Sequence, residues 1–319
     1  MPTRLAPALL LVAACNCIYA QGAPKIYRVG FVASTAAAYE PFRQGLRESG
    51  YIEGKNVVLE ARFASARQER LSDLVAEVLR RDVAVLVVVS TRTALAAKSA
   101  TSTVPIVFAS VFDPLASGLV TSLARPGGNV TGTAMSVGGD FGGKWLELLK
   151  EAVPAMSRTA VLWNPANESS TQSTQAIRAA ARALGIHVEL FAAGDAATLD
   201  AALSAIAASH VQGLIIAPDP YFNASRTKLV RFAAKRRLPA VYFFKSFAEA
   251  GGLMSYGANN AESIRSAAKY VDRILNGAKP SDPVDQPTRF DLVINLRTAK
   301  ALGLKMPQAI IVRADELIE

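Results

Sequence analysis

Apolar and polar segments alternate along the chain in a way that predicts strands followed by helices, most clearly from Thr159 to Gly185. This stretch opens with the apolar run TAVLW, which predicts a buried strand, and Pro165 prevents the strand from continuing. A polar loop follows, and apolar residues then recur at helical spacing up to Gly185, which suits a helix end. Open α/β sheets bind ligands at the carboxyl ends of their strands, and a helix N-terminus favours an anion. We therefore expect the loop around Ser169 and Ser170 to bind a ligand carboxylate.

The same unit occurs earlier, at residues 28–50, where an apolar strand leads through a small polar loop to a helix and a glycine. After Gly50 come VVLEARF, a helix around LSDLVAEVL and the strand VAVLVVVS. After Gly185 come HVELF, a helix around TLDAALSAIA and the strand VQGLIIAP. Any two α/β stretches agree coarsely, but here the lengths of strands, loops and helices agree as well. The pattern favours two similar α/β lobes with parallel sheets.

The last third of the chain predicts further elements that the two lobes must share. These are strands at Leu238–Phe244, Gly252–Tyr256 and Leu292–Ile294, helices at Asn260–Leu275 and Leu296–Leu302, and an extended piece at Ala309–Val312. Each lobe needs strands from both halves of the sequence, so we expect the chain to cross between the lobes more than once.

Two aspartates follow predicted strands and are candidates for binding a ligand ammonium group. Asp113 comes after the strand Val104–Ala109, and Asp219 lies between Pro218 and Pro220 after the strand VQGLIIAP. The alternative role for Asp113 is that of a helix cap or turn residue before Pro114. As ligand residues, the two aspartates would face each other across a cleft between the lobes, which together with the carboxylate site favours an amino acid as ligand.

Composition is typical of a globular protein of about two domains. Among the 319 residues, 51% are hydrophobic and 19% are charged, and 35 Lys and Arg against 26 Asp and Glu give a formal net charge of +9. The densest basic cluster, Lys235-Arg236-Arg237, ends a predicted helix, where basic side chains complement the helix dipole. No aromatic residues lie between these cations, so we expect a solvated face and no nucleic-acid site.

The N-terminus predicts a leader over residues 1–22. The apolar run LAPALLLVAA is too short to span a bilayer and has the length of a signal-peptide core. The residues VAAC that follow resemble the bacterial lipobox, which makes Cys15 a candidate lipidation site. Ordinary cleavage near Ala20 is the alternative. No other apolar run is long enough for a membrane-spanning helix.

Few residues can support catalysis or bind metal. Both cysteines, Cys15 and Cys17, lie in the predicted leader, and His187 and His210 have no acidic residue at metal-ligand spacing. The motif GGDFGGKW imitates a phosphate-binding loop but has Trp145 where a Mg²⁺-binding hydroxyl is needed. We interpret it as a flexible lead into the helix Lys144–Glu151, and we expect neither a metal site nor a cofactor.

Several motifs occur in an order that resembles a known family. IYRVGF, VPIVFASVFDPLASGLV, RPGGNVTG, LWNPAN and FDLVINLRTAKALGLKMP are similar to segments of the ABC-transporter substrate-binding proteins related to tryptophan and tyrosine uptake. The resemblance implies the type I periplasmic binding fold, with two lobes (25–133 plus 255–285, and 134–254 plus 286–319) around a ligand cleft. By motif position it implies these ligand-binding residues: Ser34, Thr91, Asp113, Asn164, Ser169, Ser170 and Asp219. Candidate cleft aromatics are Tyr39, Phe112, Trp163, Tyr221 and Phe222.

The resemblance also implies a function and partners. The chain would be the extracytoplasmic solute-binding component of an ABC importer, would capture an amino acid or related solute, and would deliver it to permease and ATPase subunits in the inner membrane. We expect a lipid-anchored monomer in the periplasm or cell envelope and no enzymatic activity. The alternatives are a sensory binding protein or an enzyme on a similar fold. A racemase of that kind needs facing cysteines and a serine triad needs a suitably placed histidine, and the sequence offers neither.

Overall fold

A computed structural model describes residues 26–65, 67–136, 141–280 and 282–319, and its elements follow the predicted order. The strands are β1 (Tyr27–Ala33), β2 (Val57–Phe63), β3 (Val85–Val89), β4 (Ile106–Phe112), β5 (Val130–Ser136), β6 (Arg158–Trp163), β7 (His187–Ala192), β8 (Gly213–Ile216), β9 (Ala240–Tyr242), β10 (Met254–Gly257), β11 (Asp291–Asn295) and β12 (Glu316–Ile318). The helices are α1 (Tyr39–Glu48), α2 (Leu71–Leu79), α3 (Thr91–Ala100), α4 (Phe141–Ala152), α5 (Glu168–Leu184), α6 (Ala196–Ala208), α7 (Pro220–Ala224), α8 (Arg226–Lys235), α9 (Lys245–Glu249), α10 (Asn260–Leu275), α11 (Leu296–Leu302) and α12 (Gln308–Arg313).

The strands form two separate sheets, one for each lobe. The first sheet has the order β2-β1-β3-β4-β5 and is parallel throughout. The second has the order β12-β11-β10-β9-β8-β6-β7 and is parallel except between β10 and β11. The repeated unit places β1 between β2 and β3 in one lobe and β6 between β7 and β8 in the other. The predicted two-lobed α/β architecture is confirmed.

Helices cover both faces of each sheet, which explains why the central strands are apolar on both sides. In the first lobe, α1 and α10 pack on one face and α2 and α3 on the other, so that every residue of β3 is buried. In the second lobe, α4, α5 and α12 cover one face and α6, α7, α8 and α9 the other. Trp145 is fully buried there, and its indole N–H donates to the carbonyl of Tyr256 at 2.7 Å.

The order of the described elements shows that the chain changes lobe three times, after β5, before α10 and before β11. The last crossing is fixed to the edge of the first sheet, where the Asp285 N–H donates to the carbonyl of Gly132 at 3.0 Å. Helix α10 comes late in the sequence yet packs closely on α1, where a Cβ atom at Gly45 would overlap the carbonyl oxygen of Arg265. The residue limits predicted for the two lobes stay a prediction.

Two predicted features of the second lobe are wrong in detail. Helix α5 begins at Glu168, because the Thr171 N–H already donates to the carbonyl of Asn167, so the polar loop ends earlier than its composition indicates. Helix α4 begins at Phe141, so Gly142 and Gly143 are helical and do not form a flexible lead. Polar residues and glycines carry no apolar periodicity, and their helical turns are therefore not visible in the pattern.

The end of the chain also differs from the prediction. Residues 309–312, predicted to be extended, belong to α12, which begins after Pro307 and buries Ile310 in the core of the second lobe. The β-branched Ile310 and Ile311 favour a strand locally, but burial of one face of a helical turn decides the outcome. The final strand is β12, which pairs parallel with β11.

The predicted leader and its lipidation site Cys15 lie outside the described residues. Within the described ranges, no helix combines the length and the apolar character needed to cross a bilayer.

Candidate functional site

A cavity of about 110 Å³ lies between the two lobes. The first lobe contributes the residues at the carboxyl ends of β1, β3 and β4, and the second contributes those that follow β6, β8 and β9. The first residue of α10, Asn260, also lines it. The cavity therefore occupies the edge of the sheets at which open α/β folds bind ligands.

Four of the seven predicted ligand residues line this cavity. Ser34 and Thr91 belong to the first lobe and follow β1 and β3, whereas Asn164 and Asp219 belong to the second and follow β6 and β8. All four are buried. The structure thus brings together residues from two lobes that lie far apart in sequence, while their roles as ligand residues stay a prediction.

Asp219 is the centre of a hydrogen-bond network in the second lobe. It is the N-cap of α7, and its Oδ1 accepts the N–H groups of Tyr221 at 2.8 Å and Phe222 at 3.3 Å. Its Oδ2 accepts the side-chain amides of Asn164 at 3.0 Å and Asn167 at 2.8 Å. Burial raises the pKa of Asp219 above its usual range, and the four hydrogen bonds oppose that shift. These bonds hold both asparagine side chains at the cavity wall.

The loop after β6 is held by its own hydroxyl and amide groups. The Ser170 Oγ accepts the Asn164 N–H at 2.9 Å, and Asn164 Oδ1 accepts the Ala166 N–H at 3.0 Å. Ser170 is completely buried. The Ser170 hydroxyl therefore stabilises the loop itself. We had expected this hydroxyl to bind a ligand carboxylate. Ser169 belongs to the first turn of α5, and its side chain lies outside what the structure describes.

Asp113 does not line the cavity opposite Asp219. Its carboxylate accepts the Ala116 N–H at 3.0 Å in the turn that follows β4. This contact is the one expected of a turn aspartate before a proline, which was the alternative role for this residue. The facing pair of aspartates across the cleft is therefore not observed among the cavity residues.

Strained backbone gathers at the mouth of the first lobe. Ser65, Ser90 and Asp113 follow β2, β3 and β4, Ser110 lies near the carboxyl end of β4, and all four have positive φ. Ser90 is the most unusual, with φ of 92° and ψ of 155°, a region that residues other than glycine almost never occupy. Ser110 is held by α10, since its N–H donates to Ser263 Oγ at 3.2 Å and its Oγ donates to Asn260 at 2.6 Å. Strain of this kind concentrates at functional sites.

Several cavity residues were not found by the sequence analysis. They are Arg92, Ser110, Asn167, Asn223, Phe244 and Asn260. Arg92 could have been found from the sequence, because a cation in the first turn of a predicted helix opposes the helix dipole and therefore indicates another role. Asn260 had none, since only the packing of α10 on the first sheet brings it to the cleft.

Of the predicted cleft aromatics, Phe112 lines the cavity. Its ring contacts Phe243 of the second lobe edge to face, with centroids 4.7 Å apart. Tyr221 and Phe222 are buried in the core of the second lobe, and Trp163 packs against the other core of that lobe. Tyr39 packs on Phe31 and Phe63 in the first lobe. Strand ends and helix starts place aromatic rings in cores as readily as in clefts.

We expect Ser90→Gly to raise the free energy of unfolding by about 1–2 kcal/mol, because glycine adopts the observed backbone angles without strain. The loss of the hydroxyl offsets part of this gain, because the Ser90 Oγ lies 3.0 Å from the Thr93 Oγ1. The loss of the helix cap is small, since the Ser90 Oγ accepts the Thr93 N–H at a long 3.4 Å and glycine is itself an acceptable N-cap. Ser90→Ala is the matched control: it removes the same hydroxyl but keeps the strain, so urea denaturation should show it less stable than wild type. Equal effects of the two substitutions would contradict the strain at Ser90.

Comparison with known proteins identifies the family. Residues 32–318 match the family model described as ABC transporter substrate binding protein. The chain belongs to this family. Two α/β lobes that the chain crosses several times around a cleft are the type I periplasmic binding fold, as the resemblance implied. This substrate-binding protein is the solute-binding component of an ABC import system.

Three similar proteins illustrate the relationship. The chain is 24% identical over 269 residues to the tyrosine-binding protein of Clostridioides difficile, an alignment that covers 84% of this chain and 77% of the relative. The crystal structure of a conserved domain protein from Vibrio cholerae superposes with a TM-score of 0.85 at 29% sequence identity. The alignment covers 92% of this chain and 100% of the Vibrio cholerae chain. The ABC domain from Streptococcus pneumonia in complex with L-Trp has the same coverage and TM-score at 23% identity.

The remaining candidate groups of this substrate-binding protein lie away from the cavity. His187 and His210 are both exposed, and neither lines it. Arg236 donates to the carbonyl of Ala207 at the end of α6, and Arg237 donates to that of Ala301 near the end of α11 at 3.4 Å. These two arginines therefore cover the C-terminal ends of neighbouring helices, where a cation is favoured.

Proposed function

We propose that the cavity between the lobes binds an amino acid or a related small solute and that binding closes the lobes on it. The main support is that both lobes contribute polar side chains to one cavity, so a ligand there contacts both at once. A ligand with contacts to both lobes stabilises the closed arrangement over the open one. Relatives whose names record tyrosine binding and an L-Trp complex support an amino-acid-like ligand.

The proposed activity is binding without chemical conversion. A hydrolase or racemase needs a nucleophile with a base within hydrogen-bond reach. The cavity residues include serines and threonines, but neither of the two histidines is among them. Among the described residues, the one carboxylate that lines the cavity is that of Asp219, and it accepts hydrogen bonds from its own lobe.

We further propose an extracytoplasmic location, in the periplasm or cell envelope, with a lipid anchor at Cys15 and delivery to a permease as a monomer. Support for the anchor is the sequence VAAC, and support for the partner is the family.

A thermal-shift screen of the mature protein against amino acids, purines and small carboxylates tests the ligand class. A ligand at one hundred times its dissociation constant should add about 2.7 kcal/mol of stability. Small-angle scattering should then show a smaller radius of gyration with that ligand than without it, whereas a non-binding solute at the same concentration leaves it unchanged. An unaltered radius with a confirmed ligand would count against closure, and recovery of a chemically altered ligand would overturn the non-enzymatic assignment.

A further inference from the structure

The charges around the cavity restrict the ligand further, provided that the proposed function holds. Two of the described residues that line the cavity are charged, Arg92 from the first lobe and Asp219 from the second. The other polar groups are hydroxyls and side-chain amides. The availability of these two charges to a ligand therefore decides which charged ligand group the site prefers.

The carboxylate of Asp219 is fully used by its own lobe. A carboxylate has about four acceptor positions. Two are filled by the N–H groups of Tyr221 and Phe222, and two by the amides of Asn164 and Asn167, at distances between 2.8 and 3.3 Å. A ligand ammonium at this carboxylate would have to displace one of these donors and leave it without a partner, and that cost offsets what the new contact returns.

Arg92 has the opposite character. Among the described residues no carboxylate forms an ion pair with it, and its side chain is exposed. It is the second residue of α3, where the helix dipole disfavours a cation. The first N–H groups of a helix have no acceptors inside the helix, so an anion at this point gains from the dipole and the guanidinium together.

The backbone that places Arg92 is also the strained one. Ser90 directly connects β3 to α3, and its unusual angles let the helix begin at Thr91 with no intervening loop. These backbone angles therefore place the first turn of α3 at the cavity. In the second lobe, the hydroxyl of Ser170 is already used by Asn164, which removes part of the carboxylate site expected at α5.

We propose that the ligand binds through a carboxylate at Arg92 and the first turn of α3, and that an α-ammonium group is not required. The site then accepts small carboxylic acids, with or without an amino group. An amine that lacks the carboxylate does not bind. Arg92 is accordingly the residue that selects for the negative charge.

Matched compounds separate the two charged groups of an amino acid. Each set holds an amino acid, its des-amino acid and its decarboxylated amine: L-alanine, propionate and ethylamine; L-leucine, 4-methylpentanoate and 3-methylbutylamine; L-tyrosine, 3-(4-hydroxyphenyl)propanoate and tyramine. Isothermal titration of the mature protein should show, for the side chain that fits, acid and amino acid with affinities within about threefold and no binding of the amine.

Variants of Arg92 test its role directly. Arg92→Gln should weaken binding of the acid by about tenfold or more and abolish most of its salt dependence, with Arg92→Lys in between. Arg231→Gln is the matched control, since Arg231 is an exposed arginine on α8 away from the cavity. It should leave the affinity unchanged.

The possible results show separately whether this inference fails and whether the proposed function fails. Binding of an amino acid but not its des-amino acid, or full affinity of Arg92→Gln, overturns the inference and leaves the function standing. If none of the three sets binds while a sugar or a purine does, the amino-acid-like ligand class is wrong and this inference is overturned with it.

Discussion

We expect Asp219→Asn to lower the free energy of unfolding by about 2–4 kcal/mol and to weaken ligand binding as well. The carboxylate accepts four hydrogen bonds, whereas an amide oxygen accepts two and the amide NH₂ group would face two further donors. Either orientation of the amide leaves two donors without acceptors. Each buried donor left in this way costs about 1–3 kcal/mol, and the half-buried amide of Asn167 costs less. The burial that raises the pKa of Asp219 makes a neutral group less costly and offsets part of this loss.

Urea denaturation of Asp219→Asn and of a control, Asp195→Asn, measures this effect. Asp195 is also an N-cap, with Oδ1 2.8 Å from the Thr198 N–H, but it is exposed, and asparagine caps a helix about as well as aspartate. The control should therefore change stability by less than about 0.5 kcal/mol. Unaltered stability together with strongly reduced affinity in Asp219→Asn would instead show that this carboxylate contacts the ligand.

The fold was predictable because hydrophobic periodicity records burial. Strands such as β3 and helices such as α10 are buried on the faces that their apolar residues indicate. The repeated order of elements predicted the two lobes. The features that were missed are decided by contacts distant in sequence. Helix α12 forms because Ile310 has a core to enter, and no local pattern contains that information.

Part of the site was predictable for a topological reason. Residues that follow parallel strands must meet at one edge of a sheet. Ser34, Thr91, Asn164 and Asp219, which the family resemblance implied by motif position, all follow such strands and line one cavity. The sequence could not show which of their polar atoms neighbouring groups already use. A serine or an aspartate after a strand has the same local sequence whether it caps a turn, as Asp113 does, or faces a ligand.

The glycines at the start of α4 show the same limit, since Gly142 and Gly143 are equivalent in the sequence but not in the structure. A Cβ atom at Gly142 would overlap the carbonyl oxygen of Ser173 and lie 2.9 Å from the Ile177 N on α5. A Cβ atom at Gly143 would lie 3.5 Å from the Cβ of Ala180, an ordinary contact. Gly142 is therefore needed for the close approach of α4 and α5, and Gly143 is not.

We expect Gly142→Ala to lower the free energy of unfolding by about 2–3 kcal/mol, because backbone atoms of α5 must move to make room for the methyl group. Gly143→Ala should raise it by about 0.5 kcal/mol through the better helix propensity of alanine. Urea denaturation of the two variants compares the same chemical change at adjacent positions. The Gly142 variant should also bind ligand more weakly, because Ser173 lies one turn from Ser170, whose hydroxyl holds the Asn164 backbone at the cavity. Equal stabilities of the two variants would mean that α5 shifts freely, and the rigidity we assign to the cavity wall would then be wrong.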